Sequence, residues 1–316
     1  MSASASKKVI YAALAGNAVI AVTKFIASAM TGSAAMFSEG IHSLVDTGNQ
    51  VLLLYGMKKA ARPANKEFPF GHGKEIYFWS FVVAILIFSL GAGISLYEGI
   101  HHVMHPAKLS DPTINYIVLI LALIFEGIAF TVALKEFNKT KGKLGYIEAV
   151  KRGKDPSMFV VLFEDGAAML GLLVAFIGIL LAQTTGIAEF DGLASIIIGL
   201  ILAFTAIWMA KETKGLLIGE SANPEIVDAI EEMVNQIDPI ERTNEVLTMH
   251  MGPEYILVNI SADFAQSASS DDVEGSIALL DKRIKERFPI VKRIFVEAES
   301  REHFLLQNEA EYQEGK

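Results

Sequence analysis

Six stretches of the chain are apolar for about 20 residues each, long enough to cross a bilayer as helices. They run over residues 9–30, 34–57, 76–103, 114–134, 158–181 and 193–210. Only Thr31-Gly32-Ser33 separates the first two, so the pattern predicts a tight helical hairpin there. Beyond them the pattern changes. Residues 224–236 place Ile226, Ile230 and Val234 at helical spacing, with Asn223 as N-cap and Pro224 at the first helical position. Residues 246–251 and 255–262 flank Gly252-Pro253 and predict a hairpin. Residues 270–288 open on Ser270-Asp271-Asp272 and carry Ile277, Leu280 and Ile284, a second amphipathic helix, and 291–296 form a last strand. An α-β-β-α-β order predicts a small α+β domain of ferredoxin-like type. From Arg301 onward the chain is polar and is expected to fray.

Charge sharpens the division. From Thr213 onward there are 21 acidic and 10 basic residues, a net of −11, against 15 and 17, a net of +2, in the first 212; together they make the −9 of the whole chain. The chain therefore divides into a six-helix transmembrane part, 1–212, and an acidic soluble part, 213–316. An acidic soluble part argues against nucleic acid as a partner. The absence of cysteine excludes disulfides and thiolate metal sites. Lys58, Lys59, Arg62, Lys66 and Lys74 follow the second stretch, seven basic residues lie between Lys135 and Lys154, and Lys211 and Lys214 follow the sixth. The opposite loops hold only Lys108. The positive-inside rule then puts both termini and the α+β domain in the cytoplasm, as in a multi-pass protein of a bacterial inner membrane. The first stretch is expected to be a retained helix, because no small-residue cleavage site follows it.

Inside these apolar stretches stand ionisable residues. Charge at the bilayer centre costs a few kcal/mol or more, so such groups are candidates for function. His42 and Asp46 are four apart and share one helical face. Glu164 and Asp165 sit in the fifth stretch. Imidazole and carboxylate suit Zn²⁺ and other first-row divalent cations. Simple helix–helix hydrogen bonding is the structural alternative for His42, Asp46 and Asp165, and a proton-relay or ion-pair role for Glu164. Glu39, three residues before His42, reads as a hydrated charge near a helix end, and Glu126 as a packing group or the lining of a watery cleft. His101, His102 and His105 read as water-facing interfacial residues. No nucleophile–base arrangement suggests an enzyme.

Several blocks together resemble the cation diffusion facilitator family, proton-coupled exporters of divalent metal. They are Leu14-Ala15-Gly16-Asn17 with Lys24, Thr31-Gly32-Ser33, Ile41-His42-Ser43-Leu44-Val45-Asp46, Phe70-Gly71-His72-Gly73-Lys74 with Glu75, and Asp191 ahead of the sixth helix. The resemblance implies a metal site from His42, Asp46 and Asp165, with Glu164 a further ligand, Asn17 a ligand or support, and His72 a loop ligand. It also implies a homodimer. The chain departs from the family at Val161, which stands where a His or Asp precedes the helix-five Asp by four residues. Glu164 is the nearest replacement, about 100° around the helix from Asp165. This looks like a branch with Glu-Asp in the fifth helix. Phe68, Asn244, Ile260 and Val296 also stand where histidines are common in the family, while His250 and His303 lie off those positions.

The function expected from these residues is export of a divalent metal, Zn²⁺ first and Co²⁺, Fe²⁺ or Mn²⁺ next, in exchange for protons by alternating access. The metal is cargo, and no cofactor is expected. The alternative is a non-transporting sensor or scaffold with a degenerate site.

Overall fold

The computed structural model describes residues 3–106, 111–142 and 144–314. The chain forms two compact units, one of residues 1–61 and 75–214, the other of 62–74 and 215–316.

The first unit is helical: α1 (Ala3–Thr31), α2 (Ala34–Ala60), α3 (Glu75–Leu86), α4 (Gly93–Met104), α5 (Thr113–Lys141), α6 (Tyr146–Arg152), α7 (Pro156–Thr185) and α8 (Glu189–Ile218). A π-helical turn, Ile87–Ala92, joins α3 to α4, so the two make one rod, Glu75–Met104. Among the described residues four helical runs are long and apolar enough to cross a membrane: Glu75–Met104, Thr113–Lys139, Phe159–Thr185 and Glu189–Ile218. In α1 the shorter run Asn17–Thr31 is apolar. The 27-residue α2 falls outside that set because Glu39, His42, Asp46 and Asn49 interrupt its hydrophobicity.

The predicted hairpin between α1 and α2 closes as the Thr31-Gly32-Ser33 motif requires. Gly32 takes φ +70°, where a side chain is strained, and its N–H reaches the Ser28 carbonyl at 2.7 Å. Ser33 then caps α2, its hydroxyl accepting from the Met36 N–H. On the far side of the unit, α4 and α8 approach backbone to backbone. A Cβ on Gly99 would lie 2.7 Å from the Ile196 nitrogen and 2.8 Å from the Gly192 carbonyl, the small-residue packing expected where lipid supplies no hydrophobic drive.

The second unit contains α9 (Pro224–Val234), β1 (Ile240–Gly252), β2 (Tyr255–Phe264), α10 (Ser270–Arg287), β3 (Val291–Ala298) and α11 (Arg301–Glu314). The α9-β1-β2-α10-β3 order is the alternation the sequence pattern predicts. The sheet runs β1-β2-β3, antiparallel between the first pair and parallel between the second. Central β2 buries Ile256, Val258, Ile260 and Ala262, every second residue, against Ile230, Val234, Leu280 and Ile284 of α9 and α10. Ile260 and Val296 are thus core or near-core apolar positions.

Three differences from the sequence pattern have identifiable causes. Strand β1 starts at Ile240 rather than at 246, because its polar first half pairs with β2 through irregular register near Arg242 and Glu245. Helix α10 is capped by Ser269 rather than Ser270, in a box with Asp272. The Ser269 N–H and O–H donate to the Asp272 carboxylate and hold its pKa below the ordinary range. This cap therefore persists at neutral pH and weakens only as pH falls through that lowered value. The tail does not fray at Arg301: it forms α11, tied in by the Arg301 N–H to Asp263 Oδ2 at 3.1 Å and by Ser300 at its start. The loop 62–74 packs on the β1–β2 turn, where Gly73 lies so close to the Met251 carbonyl that a Cβ would collide. In that loop His72 is half-buried and lies against Phe68, with ring centroids 4.6 Å apart and planes tilted by 43°.

Candidate metal centre

One face of α2 is buried and polar. Glu39, His42, Ser43, Asp46 and Asn49 recur at three- and four-residue steps and are each at most 4% exposed. His42 Nε2 lies 3.3 Å from Asp46 Oδ2, so the predicted pair meets one helical turn apart. His42 Nε2, Asp46 Oδ1 and Asn49 Oδ1 are buried without a hydrogen-bond partner. Buried polar atoms are normally satisfied, so these are poised for a ligand.

Helix α7 supplies the facing carboxylates. Asn49 Nδ2 donates to Glu164 Oε1 at 2.8 Å, and the Glu164 and Asp46 carboxyls face each other. Glu164 is therefore turned towards α2. Asp165, the next residue, is 8% exposed, within electrostatic reach of Glu164 and of Glu126 on α5. Its 100° offset from Glu164 carries it to a different side of the cluster. Val161, at the position where a ligand was expected, packs with the apolar core. Among the described residues no three His, Asp or Glu side chains converge closely enough to hold an ion as they stand. Coordination by His42, Asp46, Glu164 and Asp165 requires side-chain rotation or a shift of α7 against α2.

Asn17 is half-buried on α1 and makes no hydrogen bond to the described residues. Phe25 packs on Gly40 and Lys24 on Ser43, which sets α1 antiparallel to α2 and brings Asn17 level with the Asn49 turn. His72 belongs to the other compact unit.

Two buried polar groups depart from expectation. Glu39 is not hydrated: it is fully buried, its Oε2 accepting from Lys24 Nζ at 2.8 Å, while Lys24 also donates to Ser43 Oγ at 2.8 Å. Lys24 satisfies one Glu39 oxygen, while Oε1 is buried without a hydrogen-bond partner. The other Glu39 oxygen rests on Gly171 of α7, in space a Cβ would fill. His102 is not water-facing either. It is 8% exposed with Nε2 3.7 Å from Asp191 Oδ2. Asp191, on α8, receives the Ser33 hydroxyl at 2.6 Å and the Ala34 N–H at 2.5 Å, thereby capping α2 from another helix. The Asn49–Glu164 bond was also absent from the sequence reading; its signal was Asn49 lying seven residues, two turns, beyond His42.

Comparison with known proteins identifies this arrangement of helices. The sequence matches the family described as the Cation efflux transmembrane domain over residues 10–218. The chain belongs to the cation diffusion facilitator family. It is 34% identical over 260 residues to a protein of Xenopus laevis named proton-coupled zinc antiporter SLC30A9, mitochondrial, covering 81% of this chain and 46% of that protein. It is 26% identical over 261 residues to metal tolerance protein C4 of Arabidopsis thaliana, covering 82% and 57%. A third relative, the manganese efflux system protein MneP of Bacillus subtilis, is 23% identical over 301 residues, 92% of this chain and 95% of that protein. The chain spans about half the length of the zinc antiporters it matches. Residues 10–218 thus carry the transmembrane domain of that family, which makes the chain an integral membrane protein.

Proposed function

We propose that this protein exports divalent metal, Zn²⁺ first, in exchange for protons by alternating access between its helices. The observation that carries the reading is the pair of buried, hydrogen-bond-free atoms His42 Nε2 and Asp46 Oδ1 beside Glu164. The printed names of relatives support both halves, one as a proton-coupled zinc antiporter and another as a manganese efflux protein. His42, Asp46 and Asp165 hold the ion, Glu164 completes the shell, and Asn17 and His72 are lesser contributors at the site and in the loop. Each ligand must shed protons to bind metal and regain them when it leaves, so exchange follows from ligand chemistry alone. Six helices cross the bilayer, α1 and α2 among them, with both termini on the side of the basic loops, the cytoplasm. Rigid shifts of α7 against α2 gather the ligands and expose them to either side. Metal flux into reconstituted vesicles across a panel of divalent ions, with and without a pH gradient, tests this. A protein that binds Zn²⁺ but moves none would instead be a sensor, the reading favoured by Val161.

If Glu164 is a ligand, Glu164→Gln should weaken metal affinity about tenfold, about 1.4 kcal/mol. The amide keeps the bond from Asn49 only by turning its oxygen to that side, which leaves an NH₂ group towards Asp46. Calorimetric titration checks this; unchanged affinity removes Glu164 from the coordination shell.

The protein assembles as a homodimer through the sheet-bearing unit. Asn244, Ile260 and Val296 provide no imidazole there, and Asn244 is engaged with Ser261 and the Glu299 carbonyl. The dimer should therefore survive chelation, as measured by light scattering in detergent with and without EDTA. Metal-dependent dissociation would contradict it.

A further inference from the structure

Helix α5 is largely lipid-facing, with Ile120, Leu121, Ile124 and Phe125 exposed by half or more. Its inward stripe is Asn115, Leu119, Ala122 and Glu126, at steps of four, three and four. Glu126 is 4% exposed in the middle of this apolar helix. A structural explanation would be a salt bridge, and the nearby cation is Lys24. Lys24 is committed elsewhere, to Glu39 Oε2 and Ser43 Oγ. Glu126 itself hydrogen-bonds none of the described residues. It lies instead within electrostatic reach of Asp46, Glu164, Asp165 and Glu39. Packing alone would select against a fourth unpaired carboxylate beside three others, since like charges in a low dielectric repel strongly. A passing divalent cation reverses that sign.

We propose that Glu126 is a cation-binding residue of the transport path, taking the divalent ion together with Asp165 on the α5 side of the cluster. This rests on the metal reading above. The carboxylates then form two successive pairs, with Asp165 passing the ion from one to the other: Asp46 with Glu164 beside His42 between α2 and α7, and Asp165 itself with Glu126 between α7 and α5. Each pair balances a charge of +2, so the ion meets full compensation at both stops within the membrane. The second stop offers only carboxylate oxygen, a harder set than the one containing His42, and it favours Mn²⁺ relative to Zn²⁺.

The test uses the full-length protein in detergent and in vesicles, titrated calorimetrically with Zn²⁺ and with Mn²⁺. Glu126→Gln, nearly isosteric, should weaken Mn²⁺ binding tenfold or more, weaken Zn²⁺ binding less, and slow flux of both. Glu126→Asp should restore part of the Mn²⁺ affinity. Unchanged affinity for both ions in Glu126→Gln overturns the proposal even if flux falls. Should that variant not fold, Glu126→Asp decides, because an unaltered Mn²⁺ to Zn²⁺ ratio in it overturns the proposal equally. Asp46→Ala in parallel separates the two readings. Loss of Zn²⁺ binding there with none in Glu126→Gln defeats only the role of Glu126, and unchanged Zn²⁺ affinity in Asp46→Ala defeats the metal reading itself.

Discussion

Asp46→Ala is expected to reduce metal flux to background, a loss of at least about a hundredfold, equivalent to about 2.7 kcal/mol, with the fold intact. Asp46 lies where α2 meets α7, 3.3 Å from His42 and facing Glu164, so its removal takes a charged ligand from the pair and leaves His42 alone on α2. The fold should tolerate the loss. Asp46 Oδ1 makes no hydrogen bond, and deleting one carboxylate relieves repulsion with the others. Asp165→Ala should act the same way, since Asp165 also makes no hydrogen bond to the described residues. Flux in vesicles, with size-exclusion profiles of each variant, checks both. Wild-type flux in either one removes that residue from the path.

Much of the architecture was written in hydrophobic spacing. The hairpin at Thr31-Gly32-Ser33, the helix from Pro224 and the alternation of β2 each follow from local rules of capping, φ and period. Spacing was silent where a partner distant in sequence decides the outcome. Polar residues 240–245 carry no strand pattern, yet pairing with β2 makes them one. Arg301 onward is polar throughout, yet Asp263 and Ser300 anchor a helix there.

The site shows the same divide. His42 and Asp46 were legible because four-residue spacing is a local rule. Glu39 and Glu126 were not, because whether a membrane charge is wet or buried depends on other helices. Lys24, 15 residues before Glu39 and across the hairpin, decides the first. The occupation of Lys24 by Glu39 and Ser43, which leaves Glu126 unbonded, decides the second. Glu164 lies between these cases. Helical geometry gave its offset from Asp165, while Asn49, 115 residues away in sequence, shows which of the two carboxylates faces α2. The α2 stripe of polar residues also explains why this helix is less apolar than its neighbours: the residues that make the site are those that dilute its hydrophobicity.

Apparent metal affinity should fall as pH drops from about 7.5 to 6, because protons compete with metal for every ligand of the site. The direction follows from competition. His42 must be neutral to ligate, so each proton it takes up removes a ligand, and below its pKa affinity declines by up to about tenfold per pH unit for one competing proton. His42→Asp should flatten this dependence where the imidazole carries the exchanged proton, because the variant has no imidazole on α2. The same change should shift selectivity towards Mn²⁺, since imidazole no longer favours the compact site that suits Zn²⁺. The substitution shortens the side chain and places a second carboxylate one turn from Asp46, so the variant should bind Mn²⁺ at pH 6 where the wild-type protein has lost most of its affinity. Calorimetry at several pH values in both proteins measures this. An equally steep profile in His42→Asp would mean that the carboxylates, Asp46 and Asp165 foremost, carry the exchanged protons and that His42 serves coordination alone.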